Sequence, residues 1–141
     1  MKEKYFKIAG QEKEDISRRI EHFLEKYSNL KFAYVHGSFV SQERFRDIDV
    51  AIYLQSTPAE ILPMELDLEE KLYNLVQYPI DIRILNGAPL SFRYNVIKYG
   101  KRLAVIDDDA RCDFEEATVS SYFDFAPYRK MYLQEALGRG V

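Results

Sequence analysis

The stretch Ala33–Leu54, AYVHGSFVSQERFRDIDVAIYL, decides how this chain is read. Together with Lys31 and Phe32, its left end spells a short strand carrying Phe32, Tyr34 and Val35, which stops at the turn Gly37-Ser38. A polar stretch, Ser41 to Arg46, follows. Asp47 to Leu54 is then rich in β-branched and aromatic residues, as a central strand requires. Successive strand side chains point to opposite faces, so Asp47 and Asp49 share one side while Ile48 and Val50 take the other. Two carboxylates held that close repel unless a proton or a cation intervenes, and Mg²⁺ is the cation that favours carboxylate oxygens while keeping positions open for phosphate. Gly37 lets backbone approach a ligand closely, and the amides after it suit phosphate oxygens, with the Ser38 hydroxyl offering one more hydrogen bond.

Working outward, Pro79 to Leu85 alternates as another strand, stopped by Asn86-Gly87, and carries one acid, Asp81. If that strand lies beside the Asp47–Leu54 strand, Asp81 joins the pair and either completes a second metal site or accepts a proton. Three carboxylates beside a phosphate-binding turn are the minimal equipment for in-line nucleotidyl transfer. Apolar residues Ile16, Ile20, Phe23, Leu24 and Tyr27 predict an amphipathic helix over Gln11–Ser28. Met64, Leu68, Leu72, Leu75 and Val76 predict a second, with Pro63 in its first turn. Leu90–Tyr99 reads as a helix closed by Gly100, and Leu103–Ile106 as an edge strand. Residues 111–137 read as helical with a kink or break at Pro127, and the last four residues as a frayed end. The order implies a single α/β (α+β) domain over residues 1–141, with a mixed three- or four-stranded sheet flanked by helices.

Composition narrows the partners. With 141 residues, 47% of them hydrophobic, the chain has room for one core but not for a separate acceptor-binding domain. No apolar run approaches the ~18 residues that span a bilayer, and the amino terminus lacks the pattern of a secretory leader, so a cytoplasmic location is expected. One cysteine and two histidines rule out a four-ligand zinc site. A net charge of −3 argues against direct nucleic-acid binding, whereas a nucleoside triphosphate is acceptable once a metal supplies positive charge.

The quoted stretch resembles the G-S-x-D-x-D core of the polymerase-beta nucleotidyltransferase superfamily, particularly its minimal nucleotidyltransferase (MNT) branch. The segments PIDIRILNGAPLSFRYNVIKYGKRL and SYFDFAPYRKMYLQEAL are similar to that branch as well, so the likeness runs from about Lys31 to Leu137. The resemblance implies the polymerase-beta-like nucleotidyltransferase fold and the antitoxin role of a toxin–antitoxin module, with AMP passed from ATP to a tyrosine of a partner HEPN toxin. It makes Gly37 and Ser38 the triphosphate-binding pair, Asp47 and Asp49 ligands of Mg²⁺, and Asp81 the third catalytic and metal-binding carboxylate. The Phe39–Arg46 loop is shorter than in typical members and lacks their usual glycine after the Gly-Ser. Two other functions compete: a small-molecule nucleotidyltransferase, which usually needs an added helical domain, and an antitoxin that masks its partner without chemistry. Homo- or hetero-oligomerisation stays open.

Other features are assigned bland roles. His36 is expected to pack at the strand end, Asp107-Asp108-Asp109 to form a solvated turn, and Arg44 and Arg46 to lie on a charged loop rim. The aromatic run Tyr122, Phe123, Phe125, Tyr128 and Tyr132 is expected to be mostly core, with any exposed remainder a partner surface. The direction of Arg93 is open.

Overall fold

Strand alternation builds the centre of the molecule. In the computed structural model, which describes residues 4–136, Ile48–Leu54 forms β4 (β1 and β3 are described below), with Ile48, Val50, Ile52 and Leu54 all buried on one face. Leu30–His36 forms β2 and pairs antiparallel with β4, while Ile80–Ile84 forms β5 and runs parallel to it. Lys101–Val105 forms β6 on the other side of β2, giving a mixed four-stranded sheet in the order β5-β4-β2-β6.

Two helices cover the face bearing Ile48, Val50 and Ile52. They are α1 (Gly10–Glu25), which buries Ile16, Ile20 and Leu24, and α3 (Ile61–Val76), which buries Leu68, Leu72 and Val76. These follow the spacing the sequence predicts, at 3.6 residues per turn, with Phe23, Tyr27 and Met64 partly buried beside them; Leu75, expected in the second stripe, is exposed. The opposite face carries a smaller cluster, Phe32, Tyr34, Ala51, Leu85, Val96 and Phe114, under α4 (Leu90–Tyr99) and α5 (Asp108–Ala136). A polar network ties α5 down. The Tyr34 hydroxyl donates to Glu115 at 2.5 Å, and Arg111, itself bonded to Asp108 at 2.7 Å, approaches the same carboxylate at 3.0 Å.

The outer edge of β5 is closed by side chains. The amides of Ile82 and Ile84 each donate at 2.9 Å, to Glu69 and Glu65 of α3, so two carboxylates one helical turn apart replace a missing neighbour strand. This fixes the strand that carries Asp81.

Several expectations are corrected. Helix α1 ends at Glu25, and β6 begins at Lys101. The polar Ser41–Arg46 stretch is not simply a loop. It contributes to a four-residue helix α2 (Ser38–Ser41) and to β3 (Arg44–Phe45), which pairs antiparallel with β1 (Phe6–Lys7). Asp107 is no solvated turn residue. Its Oδ1 accepts the Ala110 amide at 3.0 Å, capping α5, which therefore starts at Asp108. Pro127 neither splits nor ends α5. It is exposed, so water can satisfy the carbonyl its missing N–H leaves behind. The described part of the aromatic run is not core: Phe123, Phe125 and Tyr128 are exposed, while Tyr122 stacks on Tyr94 at 3.8 Å and Phe123 meets the Tyr94 ring edge-on at 6.0 Å. The side chain of Tyr132, the frayed end expected at 138–141 and the amino-terminal residues 1–3 lie outside what the structure describes.

Candidate active site

Strand register brings the acids together. His36 of β2 faces Asp49 of β4 across the antiparallel pair, and Asp49 faces Asp81 of β5 across the parallel pair. These residues form one row across three strands, on the side opposite the large apolar core. Asp47, just before β4, is half-buried, and its charge acts on Asp49.

The Asp49 carboxyl is pushed up to about 7. Burial is the largest cause, followed by the negative charges of Asp47 and Asp81 and a hydrogen bond with Asp81; Arg83 opposes them. A hydrogen bond between two carboxyl groups needs one proton, and these causes favour the protonated form of Asp49. Among the described residues no three histidine, cysteine, aspartate or glutamate side chains stand together closely enough to hold a metal ion as they are placed. The arrangement is an open pair with Asp47 beside it. A hard divalent cation would do the work of that shared proton, and the donor set of carboxylate oxygens fits Mg²⁺.

Gly37 stands against this pair. Its φ of 77° lies in the left-handed region, and a Cβ there would collide with the Oδ2 atom of Asp49. Glycine is therefore required twice, for the backbone angle and for the approach of the turn to the acid. The first intrahelical bonds of α2 run from the amides of Val40 and Ser41 to the Gly37 carbonyl, both at 3.1 Å. The amides of Ser38 and Phe39 precede them, at the end of the turn where a helix leaves its donors without intrahelical acceptors.

Sequence reasoning missed Arg83. It lies two residues past Asp81 on the same face, with Nε 3.4 Å from Asp81 Oδ1. The same alternation that paired Asp47 with Asp49 would have found it. His36 packs as expected, its ring edge-on to Phe92 at 5.7 Å, but its Nε2 atom is buried without a hydrogen-bond partner among the described residues. Burial pushes the imidazole pKa down. Arg93 does not reach the acids: it donates to the Leu85 carbonyl at 3.1 Å and lies over the Phe114 ring. Arg44 and Arg46 are exposed on the rim, as read from sequence.

The fold and this row of acids define a class. Residues 18–109 match the family described as polymerase beta, nucleotidyltransferase, and the chain belongs to that family of nucleotidyltransferases. No curated protein matches it by sequence. Among solved structures, it is similar to a chain from the tri-AMPylated Shewanella oneidensis HEPN toxin in complex with MNT antitoxin, at 21% identity and a TM-score of 0.70, covering 89% of this chain and 98% of that one. It is also similar to a chain of a toxin–antitoxin complex with AMP-PNP, at 23% identity and TM-score 0.69, covering 87% and 98%. A third similarity, at 19% identity and TM-score 0.65, is to a chain of the toxin–antitoxin MntA-HepT, covering 92% and 99%. At these identities the likeness carries the fold.

Proposed function

We propose that this chain is the antitoxin of a toxin–antitoxin module and works as an Mg²⁺-dependent adenylyltransferase, moving AMP from ATP onto a tyrosine hydroxyl of a HEPN toxin in the cytoplasm. The observation that carries this reading is the row Asp49–Asp81 with Asp47 beside it, set directly against the Gly37 turn. Support for the partner comes from the similar structures, which are toxin–antitoxin complexes, one with an AMPylated toxin and one with an ATP analogue.

In this reading the Gly37-Ser38 turn binds the triphosphate through its amides and the Ser38 hydroxyl. Asp47, Asp49 and Asp81 would hold Mg²⁺, which neutralises phosphate charge and polarises the α-phosphoryl group when bound. The acceptor's phenolic oxygen attacks the α-phosphorus, the bond to pyrophosphate breaks, and the phenolic proton passes to a carboxylate oxygen of Asp81. A free tyrosine hydroxyl titrates near pH ~10, so a nearby base and cation are needed at neutral pH.

The test is incubation with ATP labelled at the α-phosphate, Mg²⁺ and the product of the adjacent gene, followed by mass spectrometry of both proteins. Label on a toxin tyrosine, lost in Asp49→Ala, supports the reading. Neutralisation of the toxin by Asp49→Ala without label transfer leaves a masking antitoxin instead, and label on a small acceptor alone would favour the small-molecule enzyme.

A further inference from the structure

Helix α2 has four residues, too few to be held by its own hydrogen bonds, yet it presents the Gly37-Ser38 turn to the acids. Its backbone bonds are those to the carbonyls of Gly37 and Ser38, and its carbonyl end would otherwise lack partners. Those partners come from the other side of the sequence. The ammonium of Lys13, on α1, donates to the Phe39 carbonyl at 2.8 Å and to the Gln42 carbonyl at 2.7 Å. It also stands 5.4 Å from the centre of the Phe39 ring and 5.6 Å from that of Phe45, two buried rings packed edge to face. A cation at a helix carbonyl end is electrostatically favourable, and its place over aromatic rings adds attraction.

We propose that Lys13 is the positioning residue of the triphosphate turn: by holding both carbonyls at the far end of α2, it fixes the direction in which Ser38 and its neighbouring amides point. Lys13 precedes the segment that matches the family, so family membership assigns it nothing. The inference rests on reading Gly37-Ser38 as the triphosphate site. Lys13 touches no substrate, and its effect is on the pre-organisation of groups that do.

The test compares wild type with Lys13→Met, which keeps the aliphatic stem over the rings but removes the donors, and Lys13→Arg, which keeps charge and donors. Lys13→Met is expected to weaken AMP-PNP binding, measured by calorimetry, and to raise the KM for ATP by about tenfold, with kcat within about twofold. Lys13→Arg should recover most of that loss. Hydrogen exchange at residues 38–42 should quicken in Lys13→Met while β4 stays protected, and Mn²⁺ binding at the acids should be unchanged. Wild-type nucleotide affinity in Lys13→Met overturns the proposal. So does a uniform loss of kcat, affinity and thermal stability that Lys13→Arg fails to rescue, which marks a residue of general packing. If wild type itself binds no AMP-PNP, the triphosphate reading falls. If wild type binds but exchange at 38–42 is unaltered in Lys13→Met, Lys13 alone is refuted.

Discussion

Strands β4 and β5 have two faces of opposite chemistry, and they differ by a single step along the chain. Ile48, Val50 and Ile52 meet Ile80, Ile82 and Ile84 on the face under α1 and α3, a wholly apolar layer. One residue out of phase, Asp49 meets Asp81 and Ala51 meets Arg83. The first face provides the stability that holds like charges together on the second. The acids are tolerated because strands fixed by so much buried apolar surface cannot move apart to relieve them.

Perturbing each face separately should divide function from stability. The largest effect expected is on the acid face: Asp49→Asn should reduce AMP transfer by at least about 10³-fold, equivalent to about 4 kcal/mol of barrier, in a labelled-ATP assay. The variant should keep its fold. On the other face, Ile52→Ala removes a fully buried side chain and should lower unfolding free energy in urea by about 2–5 kcal/mol. Activity per folded molecule should survive at low temperature. If Ile52→Ala abolished chemistry without unfolding, the division of labour would be wrong.

Gly37→Ala touches the boundary between turn and acid. Left-handed backbone strain and the collision with Asp49 should together destabilise by about 1–3 kcal/mol and weaken nucleotide binding, both measurable in one thermal-shift titration with AMP-PNP. The pH dependence has a definite sign. Because the folded Asp49 carboxyl titrates near 7 and an unfolded one near pH ~4, the native state binds the extra proton between those values. Wild type in EDTA should therefore lose stability as pH rises from 4 through 7, while Asp49→Asn should not. The variant's advantage should vanish below pH ~4 and reach about 1–2 kcal/mol at pH 8, allowing for solvent screening at a half-exposed group. Mg²⁺ should close that gap by raising the wild-type melting temperature. The smallest effect belongs to Arg83→Gln, which should alter stability by under about 1 kcal/mol while moving the Asp49 titration further up, as followed by NMR.

Much of the fold was legible because it is written in local periodicity. Most of the stripes of α1 and α3, the limits of α4 and the turn at Gly37 follow from patterns a few residues long, whereas Asp47, read as the first residue of the strand, lies just ahead of β4. Elements of two to four residues, β1, α2 and β3, leave too short a pattern to read. The reach of α5 was misjudged because aromatic residues at helical spacing look the same whether a neighbour covers them or not. Charge alone marked Asp107–Asp109 as a turn, although an aspartate ahead of a helix is also the usual cap.

By itself, the sequence determined which residues are available: a glycine at a turn, two carboxylates on strands with apolar alternates, and a third just ahead of the first of those strands. Only the tertiary structure decided that they meet. The parallel register of β4 and β5 sets Asp81 beside Asp49, α3 carboxylates close the edge that holds Asp81, and Lys13 meets α2 from 26 residues away. The reason is physical. Alternation and turn chemistry are properties of neighbouring residues, whereas strand register and long-range hydrogen bonds depend on how whole elements bury their apolar faces against one another.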